Sequence, residues 1–197
     1  ETPFNAYLQL GRDGRVAEAV PQAEMGQGVW TSLPQILADA LGADWRTVAV
    51  EPAPVSPLDA HLILAEAAAD DSAFPAALGI DRWAARHSAA REALMVTAGS
   101  TSVRAFEAPL REAGAAARAL LSKAAARRWD VDWEELDARD GFVWHGDDRL
   151  AFAELAEAAA EEALPDHLPV RGGLDNRLAG QPLPRLDLPA KLDGSAL

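Results

Sequence analysis

The sequence predicts an α+β fold: an N-terminal hairpin and mixed β-strands packed by two or three α-helices. Three observations lead there. Short runs of alternating apolar residues open the chain, the apolar period changes to a helical one at Val29, and an alanine-rich stretch runs from Val103 to about Trp129.

Asn5 to Leu10 and Arg15 to Val20 flank Gly11-Arg12-Asp13-Gly14. Leu8 and Leu10 alternate with polar residues, as do Val16 and Val20, so the spacing predicts a hairpin with a Gly-rich turn. From Val29, the residues Leu33, Ile36, Leu37, Ala40 and Leu41 share one helical face. Thr31 or Ser32 can cap this helix, Pro34 is comfortable only in a first turn, and Gly42 is a stop. Thr47 to Val50 reads as a short strand. Helices are expected at Leu62 to Ala69 and Asp81 to Leu94, broken by Phe74-Pro75 and Gly79, with a turn at Asp70-Asp71. In the long helix, Phe106, Leu110, Ala113, Ala117, Leu120, Leu121 and Ala124 form the stripe to be buried, and Pro109 should bend it. Phe142 to His145 reads as a strand, Gly146-Asp147-Asp148 as a turn, and Ala153 to Ala163 as another helix. Residues 1–164 are expected to form one partial domain. The Pro-, Gly- and Leu-rich stretch 165–197 has no usable period and reads as an extended linker toward a following domain.

Composition narrows the function classes. A net charge of −13 argues against nucleic acid, whose phosphates this chain would repel. The absence of cysteine excludes disulfides, thiolate nucleophiles, cysteine-held zinc and iron–sulfur clusters on this chain. No run approaches the length of an uncharged apolar membrane span, so a soluble chain is expected. The sequence opens on ETPFNAYLQL without a basic and apolar leader, so any signal peptide is expected to be absent or removed.

Two segments share one expected design, a strand followed by a small loop and a helix start. They are Gly26-Gln27-Gly28 before the helix at 29–41 and Thr97 to Ser102 before the helix at 103–129. A helix start presents unpaired N–H groups and the positive end of the peptide dipoles, which together welcome an anion. Glycine permits positive φ and close approach of a ligand. Gln27 adds an amide, and Thr97, Ser100, Thr101 and Ser102 add neutral hydroxyls, so a phosphate can be held without lysine. On spacing alone, an ordinary turn or helix cap is the simpler reading of each loop.

The letters themselves carry more. EMGQG before a helix, then TAGSTS opening a long alanine-rich helix, resembles the molybdopterin-binding subunits of the xanthine dehydrogenase and aldehyde oxidase family, in particular the isoquinoline 1-oxidoreductase beta subunit type. FNAYLQLGRDGRV, GSTSVRAFEAPLREAGAAARALL and GQPLPRLDLPAKLDGSA extend the likeness over nearly the whole chain, most weakly from about 58 to 92. The resemblance implies an oxidoreductase, a molybdenum hydroxylase that inserts oxygen from water at an aldehyde or electron-poor heteroaromatic carbon. It implies that Gly26, Gln27 and Gly28 touch the pterin or its phosphate end, and that Thr97, Gly99, Ser100 and Ser102 contribute amide and hydroxyl contacts. The implied cofactor is molybdopterin, the cytosine dinucleotide form being one variant, shared with parts of the subunit outside this chain. The implied partners are the remainder of the subunit, an iron–sulfur electron-transfer subunit and a small-molecule substrate. The resemblance implies the periplasm, with the cytoplasm as the alternative location.

Departures from the family pattern limit what carries over. The Gly-Glu-Pro-rich motif of the catalytic glutamate and the Phe-Gly loop near the metal are missing, so no catalytic residue and no metal ligand is expected here. The isolated 197-residue chain is expected to be inactive and to bind the cofactor weakly at most. The matching segment sits late in xanthine dehydrogenases, which implies a circularly permuted order. Glu24 reads as a loop carboxylate or cap rather than a base. His61, His87, His145 and His167 have no ligand spacing and read as surface or lightly buried residues. Trp30, Trp45, Trp129 and Trp133 read as core or interface anchors. Two other readings stay open: a non-catalytic protein-interaction domain with a structural glycine loop, and a nucleotide-binding module, which lacks Gly-Lys-Ser/Thr and the full GxGxxG pattern.

Overall fold

The computed structural model describes residues 2–70 and 80–195. Among these, a four-stranded sheet and a three-stranded sheet pack with six α-helices, the α+β arrangement expected. The sheet order is β1 (Thr2–Asn5), β2 (Leu8–Leu10), β3 (Val16–Val20) and β4 (Val48–Pro52). The expected hairpin is β2–β3, antiparallel, closed by Gly14 at φ 85° and by the Gly11 N–H bonded to the Arg15 carbonyl at 2.8 Å. Leu8, Leu10, Val16 and Val20 alternate inward as the period demands. Strand β1 was not read from the sequence, because its Pro3 and its register irregularity blur the alternation.

β4 runs parallel to β3, so the chain must cross over, and α1 (Val29–Leu41) makes the crossing. Its apolar stripe is buried as expected. Gly42 ends it in the left-handed conformation at φ 85°, with its N–H on the Ala38 and Asp39 carbonyls. Two details differ from expectation. Thr31 and Ser32 lie inside the helix, and Pro34 sits in the second turn, where it leaves the Trp30 carbonyl without its helical partner.

α2 (Leu62–Asp70) and α3 (Ile80–Arg91) form a satellite pair around Ala60, Ala65 and Ala89. The breaks expected at Phe74-Pro75 and Gly79, and Asp71 of the expected turn, lie outside the described residues. α4 (Ser102–Trp129) buries all seven residues of its expected stripe. It then leads to β5 (Asp137–Arg139), β6 (Phe142–His145) and β7 (Asp148–Ala151), an antiparallel sheet, and to α5 (Phe152–Ala160), which packs Phe152, Leu155, Ala156 and Ala159 into the main core.

The contact that organises the main core is α1 against α4. Gly114 of α4 meets the α1 backbone so closely that a Cβ there would stand 2.6 Å from the Leu37 carbonyl oxygen and 2.9 Å from the Ala40 Cβ. Beside it, the buried Arg118 reaches across to donate to the Ala40 carbonyl at 2.8 Å and also donates to the Pro169 carbonyl.

The segment from Leu164 onward is extended and docked. Arg171 donates to the Ala138 carbonyl (2.7 Å) and pairs with Asp137 (2.6 Å). The chain then runs antiparallel to α1 along a polar stripe, Thr31, Gln35 and Asp39, spaced one helical turn apart. The Asp39 carboxylate accepts the Arg177, Leu178 and Ala179 N–H groups. The Gln35 amide donates to the Leu178 and Gln181 carbonyls, and the Thr31 hydroxyl accepts the Leu186 N–H. Leu178, Ala179 and Leu186 pack on the core, and a short helix, α6 (Leu188–Asp193), follows.

One buried group opposes stability. Glu18 lies between Leu8 and Val50 on the core side of β3, and neither carboxylate oxygen has a hydrogen-bond partner among the described residues. Burial alone holds its pKa well above the ordinary carboxylate value.

Gly114→Ala is expected to destabilise the chain by about 1–2 kcal/mol. The helix-propensity gain of about 1 kcal/mol is outweighed by overpacking against backbone atoms that cannot swing aside, and thermal melting checks the sign. For Glu18, the folded state keeps its proton where the unfolded chain has released it. Its contribution is therefore fully present below the ordinary carboxylate range and is lost as pH rises toward the raised value. Glu18→Leu is accordingly expected to stabilise by about 2 kcal/mol at pH 8 and by less near pH 4, measured by urea unfolding at both pH values.

Candidate functional site

The first loop, residues 21–28, leaves β3 and enters α1. Gly26 (φ 104°) and Gly28 (φ 86°) both require positive φ, and nothing lies within 4 Å of where a Cβ would stand on either. The outer face of the loop is therefore open. Its inner face is organised by Glu24, whose Oε1 accepts the Gly26 N–H (2.7 Å) and Gly28 N–H (3.0 Å) and whose Oε2 accepts the Trp30 N–H (3.0 Å). The N-terminus of α1 thus carries its own anion, and the amides expected to be free are bonded internally. Burial opposes ionisation of Glu24, but the three N–H bonds and the Arg185 charge outweigh it and hold the pKa below the ordinary value. Glu24 is a helix cap, in place of the expected Thr31 or Ser32.

Gln27 is exposed and folds across the loop. Its Oε1 accepts the Met25 N–H and its Nε2 donates to the Ala23 carbonyl, both at 2.6 Å. From the C-terminal segment, the Arg185 guanidinium reaches the same loop. It donates to the Gly26 carbonyl (3.0 Å) and Glu24 Oε1 (3.1 Å), and it is gripped from behind by Asp187 at 2.8–2.9 Å.

The second loop, residues 97–101, lies beside the first. The Ala23 N–H donates to the Thr97 hydroxyl at 2.8 Å, and Ser102 Oγ donates to Gln22 Oε1 at 2.7 Å. Gln22 Nε2 donates to the Pro21 and Val96 carbonyls, while the Gln22 carbonyl accepts the Trp30 indole N–H at 2.8 Å. No strand precedes this loop as expected: α3 does, and side-chain bonds from Gln22 and Thr97 replace a backbone ladder. Gly99 (φ 67°) and Ser100 (φ 53°) turn the chain, and the exposed Ser100 hydroxyl has no partner among the described residues. The start of α4 has no side-chain cap, and Arg104 in its first turn is exposed.

The structure therefore brings the expected residues 26–28 and 97–102 side by side at two helix starts. Thr97 and Ser102 join the loops to each other, while Gln27, Gly99 and Ser100 face outward. Sequence reading missed Gln22 and His61. Gln22 is a lone amide without a motif. His61, expected at the surface or lightly buried, is fully buried. Its Nδ1 accepts the Leu64 N–H (3.3 Å), which leaves Nε2 to donate to the Thr101 hydroxyl (2.8 Å), and Thr101 Oγ1 donates in turn to the Ala98 carbonyl (2.8 Å). Burial lowers the His61 pKa, so the imidazole is a neutral strut beneath the second loop.

Clefts of about 380 and 450 Å3 lie elsewhere, the first lined by Asp39, Arg139 and Arg177, the second by Arg118 and Trp133. Neither includes the two loops, which form an open wall. Among the described residues, no group of three or more His, Asp or Glu side chains is placed to hold a metal ion, and no helix is long and apolar enough to cross a membrane. Trp30, Trp45 and Trp129 pack against the main core as expected.

No family model matches the chain. It is 32% identical to the isoquinoline 1-oxidoreductase beta chain of Brevundimonas diminuta over 84% of its own length and 18% of that protein's. It is 29% identical to a nicotinate dehydrogenase subunit of Pseudomonas putida, over 98% of this chain and 14% of the relative. It is 26% identical to the membrane-bound aldehyde dehydrogenase [pyrroloquinoline-quinone] of Gluconacetobacter polyoxogenes, over 97% and 21%. The chain thus spans about a fifth or less of the length of these relatives. The fold matches part of quinoline 2-oxidoreductase from Pseudomonas putida 86, with a TM-score of 0.50 at 18% identity over 77% of this chain and 15% of that one. The chain is a homologue of one segment of the isoquinoline 1-oxidoreductase beta chain and its relatives in the xanthine dehydrogenase and aldehyde oxidase family.

Proposed function

We propose that this chain forms one wall of a molybdopterin site in a molybdenum hydroxylase acting on an aldehyde or an N-heteroaromatic carbon. The observation that carries the reading is the juxtaposition of two outward-facing loops at two helix starts, locked together by Gln22, Thr97 and Ser102. The residues fit such a ligand. The open space over Gly26 and Gly28 admits a planar ring or a phosphate, and the free Ser100 hydroxyl and the uncapped start of α4 offer neutral donors.

In this reading Gln27 swings its amide from Ala23 and Met25 toward the ligand, and Ser100 and the Gly99 backbone receive its anionic end. Thr97 keeps a hydroxyl proton to donate, because it accepts from Ala23. Ser102 donates to Gln22 and holds the second loop in place. Gly26 and Gly28 supply shape rather than N–H donors, since Glu24 takes theirs. The molybdenum centre, when bound, supplies the transfer of water-derived oxygen and takes up two electrons. The chain contributes binding and orientation, and the base belongs to another part of the protein.

The assembly includes the remainder of the subunit and an iron–sulfur electron-transfer partner, since this chain has no cysteine to hold a cluster. The cofactor is carried as molybdopterin or its cytosine dinucleotide form, in the periplasm. The quinone in the name of the Gluconacetobacter relative is a different group, and the test separates the two.

The full-length protein, purified with its natural partner, is expected to hold about one molybdenum and one pterin per subunit. Metal analysis and pterin extraction measure both. Pyrroloquinoline quinone in their place, or neither group in cells that load other molybdoenzymes, would overturn the reading. Gln27→Ala and Ser100→Ala are each expected to lower pterin retention after gel filtration by about tenfold, the worth of one hydrogen bond to a charged group.

A further inference from the structure

The C-terminal segment ends its course along α1 at the glycine loop. We propose that Arg185 is a positioning residue of the cofactor wall, a clamp that fixes the conformation of residues 24–28 from outside the loop. This rests on the reading of that loop as part of a molybdopterin site.

Three features single Arg185 out. First, its guanidinium spans the loop, one nitrogen on the Gly26 carbonyl and another on the Glu24 carboxylate, so it ties backbone and cap together. A planar fork does this and a point charge does not. Second, Arg185 is held in place itself. The nearly buried Asp187 takes two of its N–H groups and is braced by Lys191 of α6 at 2.5 Å. Third, the segment is brought to the loop in register. Asp39, Gln35 and Thr31 fix residues 177–186 along α1, so Arg185 arrives at the helix start without freedom to slide.

The chemistry follows from the charges. Glu24 already places a negative charge at the start of α1, the same place where an anionic ligand would approach. Arg185 neutralises that carboxylate and keeps it turned inward on the Gly26, Gly28 and Trp30 amides. Without the clamp, Glu24 is free to turn toward the open face, where it would repel an anion and let the loop relax. Arg185 thereby acts on the ligand through the loop.

The test compares Arg185→Ala, Arg185→Lys and Arg171→Ala in the full-length protein. Arg171 anchors the same segment through Ala138 and Asp137, away from the loop, and serves as the control. Hydrogen exchange at the Gly26, Gly28 and Trp30 amides is expected to rise about tenfold in Arg185→Ala and to stay near wild type in Arg171→Ala, with Arg185→Lys between them. Pterin content should follow the same order. Unchanged loop exchange in Arg185→Ala, or an equal rise in Arg171→Ala, would overturn the clamp. Full restoration by lysine would overturn the role of the fork. A wild-type protein without pterin would defeat the cofactor reading alone, since the exchange measurement decides the clamp without it.

Discussion

The close approach of α1 to α4 is the constraint on which the other parts depend. Gly114 leaves out a Cβ that would hold the helices apart, and the alanines around it keep the seam narrow. With the two helices fixed against each other, their N-termini come to lie together, and so do the loops that feed them. The sheet supplies one loop through β3, and the satellite pair supplies the other through the residues after α3. Neither loop is built to find the other unaided. The helix pair sets the separation, and Gln22 closes the remaining distance with its side chain and backbone carbonyl.

Much of this was legible in the sequence because it is periodic. The hairpin, α1, α4 and their buried stripes follow from alternation and from 3.6-residue spacing, and the positive-φ glycines mark the turns that need them. What could not be read is non-local. β1 and β5 are short and depend on their neighbours, and the position of β7 after Gly146 is set by pairing with β6. The polar triad Thr31, Gln35 and Asp39 looks like a solvated helix face, yet residues 177–186 bury it. No local pattern in a Pro- and Gly-rich stretch announces which helix it will lie on. The loop letters identified the candidate site, but the bonding within it was hidden. Glu24 reads as a loop carboxylate or cap, but nothing local says that it takes the Gly26, Gly28 and Trp30 amides together.

The electrostatics of the loop region run against the composition. A chain with an excess of 13 negative charges would be expected to repel an anionic ligand everywhere. Locally, the acidic groups nearest the loop are already committed. Glu24 is spent on three backbone amides and Arg185, and Asp187 is held by Arg185 and Lys191. The exposed groups that the two loops and the start of α4 themselves present are neutral or cationic: Gln27, Ser100, the open start of α4 and Arg104. The wall is thereby insulated from the rest of the surface by short internal ion pairs rather than by a basic patch.

The pairing of Glu24 with Arg185 joins residues 161 positions apart. On a ribosome, the glycine loop and α1 emerge before the cation that completes them. Until then the loop must exist without its outer fastening, while the hairpin and the helix pair fold around it. The order of synthesis therefore separates the making of the scaffold from the finishing of the loop. The finished geometry becomes available only once Arg185 has been translated.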